Sequence, residues 1–416
     1  MLFFRGALMK LMKVSNPADV LQLIAEQFKP LESEEVGLLE AGGRILSEDI
    51  FAAEDSPGFN RSTVDGYAVN ARDTFGAGEG IPAMLESVGE VLMGQPAPAI
   101  NSGHCCLVHT GGMLPEGADA VVMIEDTEVT GTMVQCFRQV APGENVILRG
   151  EDLKKGALAL AGGHRMRAPE IGLLASLGIT KFQAHKRPLI GFFSSGDELV
   201  DYHQPTIETA RIRDSNAPAT LYLTKQFGAD AQYGGILPDI YETFLDRSNS
   251  MLQKVDFLVF SGGSSVGSRD YTARTMNALG KPGLLVEGIA IQPGKPTLLA
   301  NCEGKPILGL PGHPVSALNI FSIFGRAVIE RLSGRIEKPF APTVKAILGR
   351  NIPSRSGRTD YVRIKLEKEN DTLRAVPIFG RSGILRSLAE ADGLLTIPAE
   401  KEGLLEGEVV EITIWE

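Results

Sequence analysis

The chain has 416 residues, enough for about three folding units at roughly 150 residues each. Hydrophobic residues make up 43% and charged residues 22%, which excludes wholesale disorder, and 47 glycines with 24 prolines in no triplet period exclude collagen. Forty-one basic against fifty-one acidic residues leave a net charge of −10, which disfavours a broad nucleic-acid footprint, so any anionic ligand must meet a local exception. No apolar run approaches the ~18 residues of a spanning helix, so no membrane association is expected. Met1 to Lys13 is broken by Arg5, Gly6 and Lys10 with no small-residue cleavage site after it, so a cytoplasmic protein is expected. A start at Met12 would suit the first helix equally well. Cys105, Cys106, Cys136 and Cys302 lack CxxC spacing and read as reduced thiols, and the six histidines form no zinc pattern.

In chain order, Asn16-Pro17-Ala18-Asp19 opens a helix as cap, N1 proline and first-turn acid, with Val20, Leu23, Ile24 and Phe28 on one face. A second helix is expected from about Ser33 to Ala41. From Ser47 to Gly150 short β-rich runs follow, among them Ala120 to Ile124 and Thr127 to Val134, punctuated by glycine and proline. Ala168-Pro169-Glu170 starts a helix that Gly178 stops, and Leu189 to Phe193 is too apolar for a half-exposed strand, so it reads as a buried parallel one. Helices at 216–227, 239–253, 270–279 and 313–332 then alternate with strands at 255–260 and 306–310, the pattern of a doubly wound α/β sheet. After Pro339 the strands 343–348, 361–366 and 409–414 predict a small C-terminal β domain. The fold class is therefore α/β plus all-β, with a central doubly wound parallel sheet.

Ligands bind such sheets at the carboxyl ends of the strands, where three loops fall: Ser194 to Glu198, Ser261 to Gly267, and Leu310 to Ser316. Ser261-Gly262-Gly263-Ser264-Ser265 precedes a helix and serves either as an anion cradle or as a tight connection; it lacks the Lys-Ser/Thr of a Walker loop. Pro311, Gly312, His313 and Pro314 form either a stiff rim to a site or a rigid helix start. Asp197, Glu198, Asp239 and Asp270 lie in loops or first turns. Acids facing an anion site need a divalent cation between them, and Mg²⁺ meets that need; the competing reading of each acid alone is a helix cap complementing the dipole. Lys295, in Gln292-Pro293-Gly294-Lys295-Pro296, and Arg211 and Arg213 are either anion clamps or solvated charges. Outside this unit, Phe59 to Ala68 crowds polar, charged and aromatic groups, and Thr110 to Ala120 is a glycine-rich turn.

Taken together these segments resemble a known family. Ser-x-x-Asp-Gly-Tyr-Ala at 62–68, Thr-Gly-x-x-x-Pro-Glu-Gly-Ala-Asp-Ala at 110–120, Gly150-Glu151-Asp152, Gly-Asp-Glu-Leu at 196–199, Asp-Ser-Asn at 214–216, Ser-Gly-Gly-x-Ser-Val-Gly at 261–267, Pro-Gly-Lys-Pro at 293–296 and Leu-Pro-Gly-x-Pro-Val-Ser at 310–316 occur in one order. That series is similar to the molybdopterin molybdenumtransferases, the MoeA and gephyrin E-domain type, from about Pro30 into the C-terminal domain. The resemblance implies an elongated homodimer of four-domain subunits. Residues 30–48 with 152–185 would form a small linker domain, 49–151 a β-rich domain reaching the dimer cleft, 14–29 with 186–334 the molybdopterin-binding α/β domain, and 338–416 a barrel-like β domain.

It further implies insertion of molybdate into adenylylated molybdopterin with Mg²⁺ and release of AMP, and a transient contact with the molybdopterin adenylyltransferase. Carried over by motif, Asp65, Thr110 and Asp152 would enter the cleft from across the dimer. Glu198, Asp239 and Asp270 would manage the metal and phosphoanhydride. Ser261, Gly262, Gly263 and Ser265 would hold the phosphates, and Lys295, Pro311, Gly312, Pro314 and Ser316 the molybdate and pterin end. Arg358, with Arg363, Arg381 and Ser387, falls in segments similar to the family's C-terminal turns. Gln292 stands where many relatives carry lysine, His313 where many carry asparagine, and Ser264 replaces the usual valine. Two rivals are the preceding adenylyltransferase step, which shares the α/β unit, and a non-catalytic scaffold of the same fold.

Overall fold

The computed structural model describes residues 14–262, 268–336, 342–370 and 372–415. Helix α1 (Pro17–Gln27) starts as expected: the Asn16 carboxamide oxygen accepts from the Ala18 N–H at 2.9 Å, and Val20 and Ile24 are buried. It lies against the last helix of the α/β unit, where Arg331 Nε donates to the Phe28 carbonyl at 2.7 Å. The helix expected at Ser33 to Ala41 is instead a strand, Ser33–Gly37, followed by one 3₁₀ turn, Leu38–Glu40. Its partner decides this. Lys181–His185 pairs antiparallel with it, Val36 and Phe182 bury opposite one another, and Lys181 pairs with Glu35 at 2.7 Å.

The β-rich unit is a six-stranded sheet in the order 120–123, 66–69, 104–108, 83–90, 133–136, 127–130. Period-2 alternation gives it two apolar faces: Tyr67, Val69, Cys105 and Val122 face one core, Ala68, Cys106, Val108 and Val121 the other. The run expected from Thr127 to Val134 is a hairpin, Thr127–Thr130 with Met133–Cys136, turned at Gly131. All four cysteines are free and buried, and burial pushes the Cys105 thiol up to about 12, so it is protonated at neutral pH. Helix α2 (Ala168–Ser176) follows, with Glu170 closing back on the Arg167 N–H at 2.8 Å.

The central sheet runs in the order 230–237, 189–195, 257–262, 305–310, 298–302, 282–286. The first four strands are parallel. Strand 298–302 runs antiparallel to both its neighbours, because it forms a hairpin with Lys305–Leu310 at Glu303-Gly304, so the sheet is mixed at one edge rather than wholly parallel. Alternate residues serve opposite faces. Ile190, Phe192, Phe257 and Val259 pack with α1, α3 (Asn216–Gln226) and α6 (Pro314–Ile320); Phe193, Leu258 and Phe260 pack with α4 (Tyr241–Leu252) and α5 (Ser268–Ala278). After α6 comes a π turn, Phe321–Gly325, then α7 (Arg326–Leu332). The sequence reads this stretch as one uniform helix. A Cβ at Gly325 would lie 2.4 Å from the Phe321 ring, so the widened turn seats that ring over a glycine.

The C-terminal strands 359–369, 372–377, 343–348, 409–414 and 393–397 pair in that order, and the last pairs back with the first, closing a small barrel around Ile364, Ala375, Leu395 and Ile412. Ile291–Gln292 adds to it in parallel with Thr359 and Asp360, which fixes the barrel beside the α/β unit.

Asp214, 2% exposed, ties the strand ends together. It accepts from Ser194 Oγ and from the Tyr233 hydroxyl at 2.9 Å, and from the N–H groups of Asn216 and Ala217 at 3.1 Å. Asp214→Ala strands these buried donors, so it is expected to cost about 3 kcal/mol or more in thermal unfolding. A melting temperature equal to wild type would show that the cluster does not hold the strand ends.

Candidate active site

Beyond those strand ends lies a cleft of about 150 Å³, lined by Ser195, Gly196, Glu198, Arg213, Asp214, Asn216, Asp239, Ser261, Gly262 and Gly312. Asn216 Nδ2 donates to Ser261 Oγ at 2.8 Å and to the Gly312 carbonyl at 2.9 Å, drawing two loops to one point. Gly262 has φ +121°, and a Cβ there would lie 2.2 Å from the Ser195 carbonyl oxygen, so only glycine permits this approach. Three buried polar atoms in the lining have no hydrogen-bond partner among the described residues: Ser195 Oγ, Asn216 Oδ1 and Asp239 Oδ1. Orphaned groups converging on one small cleft mark a place built to bind polar matter.

Burial, then the charges of Asp197 and Glu198, push the Asp239 carboxyl above the usual carboxylate range. A divalent cation between Glu198 and Asp239 would satisfy the orphaned Asp239 oxygen and relieve that repulsion, while phosphate and water complete its shell. Among the described residues no group of three or more His, Cys, Asp or Glu side chains is placed to hold a metal ion. Asp270 is the third residue of α5, but its side chain lies outside the described residues, as do Gly263, Ser264 and Ser265. Arg211 and Arg213 are tied to carbonyls, Arg211 Nη1 to Asp197 and Arg213 to Gln204 and Pro205 at 2.7 Å each.

A larger cleft of about 990 Å³ opens between the α/β unit and the barrel. Lys295, Pro311, His313, Ser316, Arg355, Arg358, Arg363 and Arg381 line it, and Asp360 is the acid among them, held by Arg358 at 2.8 Å. Lys295 and Arg381 make no ion pair among the described residues. Arg363 reaches the Gly380 carbonyl at 3.0 Å, leaves Nε without a partner, and is pushed down by burial from its ordinary range. His313 Nδ1 lies 2.8 Å from Ser382 Oγ, and the Val315 N–H donates to the Ser382 carbonyl at 3.1 Å, latching the barrel to the start of α6.

The two clefts share the loop Pro311-Gly312-His313: Gly312 faces the smaller, Pro311 and His313 the larger. Pro314 is the N1 residue of α6 and lines neither, and Ser387 hydrogen-bonds the Ile384 carbonyl at 2.6 Å rather than facing the cleft. Sequence reasoning missed Ser195, Asn216 and Arg355. Ser195 lay within the Ser194 to Glu198 loop and Asn216 ended Asp-Ser-Asn, whereas nothing marked Arg355.

The β-rich unit holds the remaining site residues. The Thr110 N–H donates to Asp65 Oδ1 at 2.9 Å, and this bond, assisted by His109 at 3.5 Å, holds the Asp65 carboxyl below its ordinary range. His109 is raised by its hydrogen bond to Glu90 at 2.7 Å. Asp152 lies apart, 3.4 Å from Ser56 Oγ. Asp65, Thr110 and Asp152 line neither cleft of their own chain.

The sequence matches three family models in succession: the MoeA N-terminal region (domain I and II) over residues 16–178, the probable molybdopterin binding domain over 191–333, and the MoeA C-terminal region (domain IV) over 345–415. The chain belongs to the MoeA family. A putative molybdopterin biosynthesis protein of Methanocaldococcus jannaschii is 36% identical over 91% of each chain, and the molybdopterin molybdenumtransferase of Bacillus subtilis is 30% identical over 92% of this chain and 90% of its own. A solved MoeA structure from Pyrococcus horikoshii superposes with a TM-score of 0.83 at 31% identity, covering 97% of this chain and all of that one. In MoeA terms the smaller cleft lies within the molybdopterin-binding region, and the larger lies between it and the C-terminal region.

The raised Asp239 carboxyl fixes the sign of a test. Its penalty is absent below the unfolded value of 3.8 and is fully present above the raised folded value. At pH 7 without divalent ions Asp239→Asn is therefore expected to melt above wild type, the gap closing as pH falls toward 4. Adding MgCl₂ should raise wild type and leave the variant unmoved. A variant that melts lower in chelator would contradict this account of the acid pair.

Proposed function

We propose that the chain inserts molybdate into adenylylated molybdopterin in a Mg²⁺-dependent reaction that releases AMP, within molybdenum cofactor biosynthesis. The observation that carries this reading is the pair of unlike clefts joined at one loop, one with facing acids and orphaned polar atoms, the other rich in cations. A substrate with a phosphoanhydride at one end and an oxyanion acceptor at the other needs that arrangement.

Glu198 and Asp239, with Asp270 from α5, would hold Mg²⁺, which supplies charge neutralisation on the phosphoanhydride when bound. Ser195, Asn216, Ser261 and the backbone at Gly262 and Gly263, with Ser265, orient the phosphates. Lys295, Arg355, Arg381 and Arg358 draw the oxyanion into the larger cleft, and Pro311 and Ser316 shape its wall. No side chain has to become covalently attached. Asp65, Thr110 and Asp152, remote from both clefts in their own chain, would complete the site from a second copy, which makes the working form a homodimer. The remaining parts of the reading are a cytoplasmic setting, agreeing with the absence, among the described residues, of a helix long and apolar enough to cross a membrane, and a transient contact with the adenylyltransferase that delivers the substrate.

The test is AMP release from adenylylated molybdopterin, with and without molybdate and Mg²⁺. Release should need both ions and collapse in Asp270→Ala. Lys295→Ala should weaken the molybdate dependence by about 10- to 100-fold, the worth of one charged hydrogen bond. Consumption of ATP with molybdopterin would instead identify the adenylyltransferase step. Absence of turnover under every condition would favour the scaffold.

A further inference from the structure

A third cavity lies on the other flank of the helix that follows the shared loop. His313 and Ser316 at the start of α6 face the substrate cleft, whereas Ser322, Ile323, Arg326 and Glu330, farther along, line a cavity of about 210 Å³ closed by α3 and the barrel. Its wall is aromatic and aliphatic: Phe227 from the end of α3, Tyr361 and Leu394 from the barrel, and Trp415 near the chain end. Its polar groups are lopsided. Among the described residues, Arg165, Arg326 and Arg335 line it with one carboxylate, Glu330, which Arg326 and Arg335 share at 2.8 and 3.3 Å. Arg165 makes no ion pair among the described residues.

Two further observations point the same way. Ser322 Oγ is buried with no partner among the described residues, and it belongs to the π turn Phe321–Gly325. Single π turns inside α-helices are retained most often where a site is built. Tyr361 lines both this cavity and the substrate cleft, so one ring forms the partition between them.

We propose that this cavity is a second ligand site, taking a small aromatic monoanion such as an arene carboxylate. The arginine excess calls for a negative charge, the aromatic wall for a flat ring, and Ser322 for a hydrogen-bonding group. The volume falls below the ~300 Å³ at which drug-sized pockets begin, which limits the ligand to one ring system. None of the residues assigned to the molybdate or phosphate end lines the cavity, so the proposal does not depend on the reaction the larger cleft performs.

Trp415 is the single tryptophan of the chain and lies in the cavity wall, so its fluorescence reports occupancy directly. The probe is 4-nitrobenzoate, with 4-nitrobenzamide as its neutral isostere, titrated into the full chain. Saturable quenching at one site per chain is expected for the carboxylate. It should be weakened about tenfold by Arg165→Gln, abolished by Thr396→Phe at the exposed rim, and unchanged in Lys295→Ala or by excess molybdate. Absence of saturable quenching up to millimolar probe, equal quenching by the amide, or loss in Lys295→Ala with Arg165→Gln unaffected would each overturn the proposal. Circular dichroism of both cavity variants must match wild type for their titrations to count.

Discussion

Four parallel strands end at one buried pair of residues. Asp214 takes the hydroxyls of Ser194 and Tyr233, from strands 189–195 and 230–237, while Asn216 reaches Ser261 at the end of strand 257–262 and the Gly312 carbonyl just beyond strand 305–310. The loops that follow Ser194, Ser261 and Leu310 are thus held near a common point. Ser195 Oγ and Asn216 Oδ1, unpaired among the described residues, belong to the lining of the space the loops enclose. Desolvated and held in place, they wait for a polar ligand at little further cost in ordering.

From that point the charge layout follows. The chain carries ten more acidic than basic residues, yet five cations line the larger cleft and one carboxylate is among them. In the smaller cleft burial, and then the charges of Asp197 and Glu198, lift the Asp239 carboxyl. In the proposed reading, a cation between these acids and a phosphate would relieve the repulsion. The loop Pro311-Gly312-His313 joins the two environments, and the Ser382 contacts to His313 and Val315 fix the barrel's arginines relative to it.

Much of this was legible before any coordinates. The apolar strand at Leu189, the loops at Gly196, Ser261 and Leu310, and the cap at Asn16 carry local signals strong enough to place themselves. Strands 230–237, 282–286 and 298–302 escaped, the first because Gly234-Gly235 interrupts it and only Leu237 is buried, the others because they belong to an antiparallel edge that helix and strand alternation does not announce. Ser33–Gly37 failed for a tertiary reason: its partner lies nearly 150 residues on, in Lys181–His185. The Arg355 contribution was hidden, since a turn arginine has no spacing that betrays it, and Asp-Ser-Asn marked Asn216 without announcing its bridge to Ser261 and Gly312. Asp65 and Thr110 stood out by motif, and the structure shows them hydrogen-bonded to each other but away from the clefts of their own chain.

The proposed completion of the site by a second copy is the claim on which the functional reading rests most heavily. Its most direct test mixes two inactive variants, Asp65→Ala and Glu198→Ala, after dissociation and reassembly. If each cleft draws one residue from each chain, half of the dimers are mixed and each has one intact cleft, so about a quarter of wild-type activity should return. Activity that stays at the level of the separate variants would show that Asp65 and Glu198 act within one chain or not at all in the same site.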